Sequence, residues 1–134
     1  MTLKQIWTRF CRRDEGSVSV EFAIWTPAFL AVILLGADTS VSFSRQSNYW
    51  NVAYETARIV SRHGMDSADA ALHAQSEMEI GSYRPEVAVR INEAEQMVTV
   101  TVTAEAAEMA PFGLLARALG ETVSISVSKA LEPS

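Results

Sequence analysis

Residues 18–37 read VSVEFAIWTPAFLAVILLGA, from Val18 to Ala37, and the rest of the chain is arranged around this run. As a helix rising about 1.5 Å per residue it spans roughly 30 Å, the thickness of one hydrocarbon core. The flanks are polar, with Arg12, Arg13, Asp14 and Glu15 before it and Asp38 after it. A buried helix of a soluble domain would need cover on every side, and the roughly 100 residues downstream are too few to supply it. A cleaved secretory signal shares the basic arm and apolar core. However, the exit Leu35-Gly36-Ala37-Asp38 puts a large Leu where signal peptidase requires a small residue, and the run is long for such a signal. The stretch therefore predicts a single membrane span.

Working outward, Lys4, Arg9, Arg12 and Arg13 precede the span, whereas the first base after it is Arg45. The positive-inside rule keeps the N-terminal arm cytoplasmic and sends the C-terminal part across. The expected organisation is a basic leader over 1–16, a transmembrane helix over 17–37 and an exported domain over 38–134. The chain of 134 residues carries a net charge of −5. That balance argues against a nucleic-acid partner, which calls for a basic stripe. Cys11 is the single cysteine, so there is no internal disulfide and no thiolate metal site.

Glu21 lies about one turn inside the apolar run. A carboxylate at the centre of hydrocarbon costs about 2.5–3.5 kcal/mol, and less near an interface. It either sits at headgroup depth and reaches water or pairs with a positive group on a neighbouring chain. Its setting is Glu15-Gly16-Ser17-Val18-Ser19-Val20-Glu21-Phe22, a short basic arm ending in Gly with a Glu at the fifth position beyond it. This resembles the signal of type IV pilins and pseudopilins, in which a prepilin peptidase cuts after the Gly. The longer stretch EGSVSVEFAIWTPAFLAVILLGADTSVSFSRQSNYWNVAYETARIV resembles the TadE-like family of tight-adherence (Tad) pilus proteins. The matching positions are Gly16, Val20, Glu21, Phe22, Ala23, Pro27, Arg45, Gln46, Ala53, Ala57 and Arg58. The aromatic Trp25 and the polar Thr26 depart from the plain aliphatics usual before the Pro.

The resemblance implies processing between Gly16 and Ser17, and a Glu21 that neutralises a neighbour's N-terminal amine. It implies a minor pilin or pseudopilin-like subunit in a bacterial inner membrane, with its C-terminal domain in the periplasm or on the filament. Its partners would be other pilin subunits, the Tad machinery and the prepilin peptidase. The alternative is a membrane-anchored assembly or binding factor that keeps its leader and stays out of the filament.

Beyond Asp38 the helical pattern continues. Phe43, Gln46, Trp50, Ala53, Ala57 and Val60 recur at three-four spacing, which predicts one packing face, with Tyr49 and Tyr54 flanking it. With Phe22 and Pro27 in the span, Trp50, Ala53 and Ala57 are the candidate helix-packing residues. Weak propensity over Thr39 to Ser47 predicts a kink or a looser turn there, and Gly64 suits a left-handed helix end. Asp66-Ser67 caps a second helix, from Ala68 to about Ile80. Val87, Val89 and Ile91 alternate as one strand, and Asn92 to Glu95 forms a hairpin turn. Val98, Val100 and Val102 alternate with Thr99, Thr101 and Thr103 as another strand. Pro111 is expected to open a short helix through Phe112, Leu114, Leu115, Ala118 and Leu119, ended by Gly120. A last strand follows, with Val123, Ile125 and Val127 on one face. The sum is an α+β fold: a long N-terminal helix on a small, about three-stranded antiparallel sheet with short helices, the general pilin architecture.

Nothing in the sequence marks an enzyme. His63 and His73 stand ten residues apart without metal-ligand spacing. There is no phosphate loop and no nucleophile elbow, and the acidic residues are dispersed as a solvated surface. No cofactor, metal or small-molecule substrate is expected.

Overall fold

The computed structural model describes residues 15–114, 116, 120 and 122–133. Residues 1–14 of the basic leader, with Cys11, and Leu115, Ala118 and Leu119 of the expected short helix, lie outside them. The element order is α1 (Glu15–Ser61), α2 (Ser67–Glu77), β1 (Glu86–Asn92), β2 (Met97–Glu105), α3 (Ala106–Met109) and β3 (Thr122–Ala130). The fold is α+β. The chain divides into two compact units between Gly36 and Ala37, and each is described by itself.

In the C-terminal unit the three strands pair antiparallel in the order β1-β2-β3. Val100 stands opposite both Val89 and Val127, and Val102 opposite both Val87 and Ile125. The two-residue period therefore gives one apolar face. Val98, Val100, Val102 and Ala104 are buried, together with Val87, Ile125 and Val127. The other face is hydroxylated: Thr99 and Ser128 are 3.0 Å apart, Thr101 and Ser126 3.2 Å. Such cross-strand pairs stabilise a sheet by a few tenths of a kcal/mol to about 1 kcal/mol each. The wet face stays satisfied while the valines pack.

Two helices cover the valines. From α1 come Tyr49, Ala53, Ala57 and Val60, and from α2 and its C-cap come Ala70, Ala74 and Met78. Alanines at the crossing point let the α2 backbone come close to β1. Trp50 and Phe43, expected on this face, lie off it, at 51% and 69% exposure. The face that meets the sheet is centred on Tyr49, which was expected only to flank the stripe. Counting from Tyr49 gives 49, 53, 57 and 60 as a continuous line, and Trp50 is one residue, about 100° of helical turn, away from it.

Other boundaries differ from expectation by small amounts with identifiable causes. Thr39 to Ser47 is helical throughout, because tertiary hydrogen bonds described below offset weak propensity. The left-handed residue that ends α1 is His63, with φ 57°, and not Gly64. His63 N–H donates to Val60 O at 3.0 Å and Gly64 N–H to Ile59 O at 3.0 Å, a Schellman closure. Gly64 is needed one place further on, where a Cβ would lie 3.3 Å from Ile59 O. Helix α2 begins after the Asp66 cap and ends at Glu77, three residues short of Ile80. Ile80 instead bridges Tyr83 across Gly81, whose φ is 63°. Pro111 does not open a helix: Leu114 is the first helical residue after it, and an unexpected turn of helix, α3, precedes it.

Candidate membrane and assembly segment

In the N-terminal unit α1 carries the apolar run with nothing of the unit covering it. Phe22 and Ile24 are each 70% exposed, and Val20, Phe29, Val32 and Ile33 are similarly open. This is one helix long and apolar enough to cross a membrane, with a mean hydropathy of 2.0 over its best window. A helix apolar on all sides is at rest only in lipid or among other helices.

Glu21 is exposed, in a shallow groove with Val18, Phe22, Trp25 and Phe29. The Trp25 and Phe29 rings lie 6.4 Å apart, tilted by 46°. Pro27 sits inside the helix. Lacking an N–H, it withdraws the donor that the Ala23 carbonyl would otherwise use. One residue earlier, Thr26 Oγ1 donates to Phe22 O at 2.7 Å, which shields the hydroxyl from an apolar surround. Gly16 and Ser17 are helical in backbone. Glu21, Phe22 and Pro27 thus share one exposed stretch, whereas Ala53 and Ala57 are fully buried in the other unit. Trp50 stacks on Tyr54 instead, with centroids 5.8 Å apart and planes 6° from parallel. Lys129 Nζ lies 5.6 Å from the Tyr54 ring centre, so the pair is fastened to the end of β3.

The C-terminal unit holds a constellation that sequence reading treated only as a polar flank. Asp38 is fully buried. Its carboxylate accepts from the Phe112 N–H at 2.8 Å and from the Leu114 N–H at 2.7 Å. One turn on, Ser42 Oγ donates to Met109 O at 3.3 Å, and Arg45 donates to Glu108 O. Residues 38, 42 and 45 thus form one helix face that clasps the segment from Glu108 to Leu114. Tyr49 continues the same line into the core. The signal was present in the spacing 38, 42, 45, 49, 53, but the large aromatics Phe43 and Trp50 drew the phase one residue away.

Among the described residues no group of three or more His, Cys, Asp and Glu side chains could hold a metal ion. His63 and His73 are both exposed. Among the described residues the ion pairs Arg58–Glu55 at 3.8 Å, Arg62–Glu132 at 3.1 Å and Arg84–Glu79 at 2.8 Å join exposed groups of little energetic weight. What the described part offers is surface for packing.

No curated protein and no solved structure matches the chain. A family model does: the model described as TadE-like protein matches residues 16–58, from the glycine before Ser17 to Arg58, the stretch that holds the apolar run, Glu21, Pro27 and the clasp residues Asp38, Ser42 and Arg45.

Proposed function

We propose that this protein is a minor pilin or pseudopilin-like structural component of a Tad-type pilus or related secretion machine, held in the inner membrane by α1. TadE-like proteins are associated with Tad pili. The observation that carries the reading is a coincidence of limits: the TadE-like match begins at Gly16 and runs through an apolar helix that its own unit leaves bare. In this reading a prepilin peptidase cuts between Gly16 and Ser17. The new Ser17 amine of one subunit then lies among helices bearing Glu21 of its neighbours. In a low-dielectric surround the amine and carboxylate attract strongly, and a misplaced subunit leaves both unpaired.

The intact mass of the membrane-extracted protein tests the cleavage. Loss of Met1–Gly16 is expected, and a bulky residue at Gly16 should block it. A protein that retains Met1 is instead an anchored assembly factor that never leaves the bilayer. Glu21→Ala tests the pairing. Membrane insertion should hold or improve, since removing a carboxylate from hydrocarbon is favourable by up to about 3 kcal/mol. Incorporation into filaments, or co-purification with pilus components, should fall. If the variant assembles as well as its parent, Glu21 is an interfacial residue reaching water and the pairing mechanism is wrong.

A further inference from the structure

In the C-terminal unit the sheet is narrower than the helix layer that covers it. Helix α2 lies against β1. Helix α1 follows β3: Phe43 and Gln46 share a small apolar cavity with Val123 at the strand's start, and Lys129 near its end reaches the Tyr54 ring at 5.6 Å. Two helices side by side, each about 10 Å across, make a layer about 20 Å wide. Strands about 4.8 Å apart match that width when there are about four of them. This unit supplies three.

The overhang is aromatic. Phe43, Trp50 and Tyr54 stand at i, i+7 and i+11 on one flank of α1, and all three are exposed. The opposite flank is closed, with Val52 packed on the core and Thr56 buried. Beside the aromatics runs the outer edge of β3. Leu131 N–H donates to Gln96 O at 2.8 Å, one step beyond the Met97–Ala130 pair. Bonded pairs alternate along an antiparallel ladder. Residues 123, 125, 127 and 129 therefore turn their backbone groups to β2, while Ser124, Ser126 and Ser128 turn theirs outward. Those outward N–H and C=O groups have no partner among the described residues. Exposed edges are commonly guarded by Pro, a bulge or a charge. From Thr122 to Ser128 there is no Pro and no charge, and the register with β2 is unbroken. On α1 no charge stands from Gln46 to Tyr54.

We infer that the groove between the β3 edge and the aromatic flank of α1 receives a fourth strand, an extended segment of another polypeptide. Its chemistry follows from the walls. The backbone pairs with β3, and apolar side chains at alternate positions lie beneath Phe43, Trp50 and Tyr54. Small polar side chains between them continue the hydroxyl face, and the middle of the segment carries no charge. A donated strand draws affinity from main-chain bonds and selectivity from its alternate side chains. The inference concerns the sheet unit alone and is independent of the reading of residues 18–37.

The probe is the chain's own β2 sequence, Met97 to Glu105, which already matches β3 in period. It is joined behind Ser134 of the full chain by a flexible Gly-Ser linker of about 20 residues, which holds it near millimolar concentration. Amide exchange is followed by NMR in detergent micelles at the outward Ser124, Ser126 and Ser128 and the inward Ile125 and Val127. In the parent chain the outward amides should exchange at least about 100-fold faster than the inward ones, and the probe should slow them at least about tenfold. Trp50→Ala, at an exposed site, should leave the inward amides protected and remove most of that slowing. Outward amides that are slow in the parent at every protein concentration mean that this chain already covers the edge. Slow exchange only at high concentration means that a second copy does. Either result overturns the inference. So does a probe that slows nothing, or one that works as well in Trp50→Ala, since the aromatic flank then takes no part.

Discussion

The Tyr49 hydroxyl is the one buried side-chain polar atom without a hydrogen-bond partner among the described residues. It enters the core from α1 at 1% exposure, with its ring packed among valines. Burial pushes its pKa above the usual tyrosine value, the nearby Tyr83 pushes the same way, and Arg45 pulls partly against them. An unpaired buried hydroxyl costs about 1–3 kcal/mol. Tyr49→Phe is therefore expected to match or exceed the parent in stability at neutral pH, by about 0–2 kcal/mol, in urea unfolding of the detergent-solubilised chain. The pH dependence has a definite sign. Below the ordinary tyrosine pKa of about 10, folded and unfolded forms both hold the proton and nothing changes. Above it the unfolded chain ionises first, so the parent loses stability, and Tyr49→Phe should lose less. A large loss at neutral pH on removing the hydroxyl would show that it does hold a hydrogen bond.

At the scale of the elements, the clasp and the helix end make two further predictions. Asp38→Ala leaves the N–H groups of Phe112 and Leu114 without their charged acceptor. Hydrogen bonds to a charged group are each worth about 1.5–3 kcal/mol, so thermal unfolding should show a loss of about 3 kcal/mol or more. Ser42→Ala, which removes one longer neutral bond, should lose about 1 kcal/mol or less. At the end of α1, His63 holds a left-handed conformation that an L side chain adopts at a cost of about 1–2 kcal/mol. His63→Gly relieves that strain but gives the unfolded chain more freedom. A net gain of about 0.5–1 kcal/mol, a rise of a few degrees in Tm, is expected. Gly64→Ala should move the other way, because its Cβ would press on the Ile59 carbonyl.

These same positions show which parts of the fold were legible in the sequence. The strands were, because Val98-Thr99-Val100-Thr101-Val102-Thr103 states its period and both faces outright, and β1 and β3 supply matching valines. The apolar run was equally plain. The helix phase was not. Where a helix passes from a surround that favours large apolar groups to a sheet that needs small ones, the largest residues no longer mark the inward face. Trp50 faces out and Ala53 faces in. Asp38 was missed for a different reason: its partners lie 74 and 76 residues away, in a loop with no pattern of its own. A polar residue next to a span reads as a flank until the fold shows it buried.

For the molecule as a whole, the decisive quantity is the side of the membrane on which the sheet unit folds. Lys4, Arg9, Arg12 and Arg13 stand within about 15 residues of the start of the apolar run, the range over which basic residues set orientation. The stretch after the run begins with Asp38 and reaches its first base at Arg45, which already donates to the Glu108 carbonyl. In the proposed orientation the N-terminal arm stays in the cytoplasm, which would put residues 38–134 outside it. A reporter that works only after export, fused behind Ser134, should be active, and one that fluoresces only in the cytoplasm should be dark. Replacing Arg12 and Arg13 with Glu should weaken this asymmetry and raise the cytoplasmic signal, while Arg45→Gln should leave it unchanged. Retention acts on the basic residues ahead of the span, so the internal bond of Arg45 has no part in it. A bright cytoplasmic reporter on the parent chain would reverse the orientation. It would also remove the basis for pairing Glu21 with partners in an outward-growing filament, because the sheet unit would then sit on the side from which no filament is drawn.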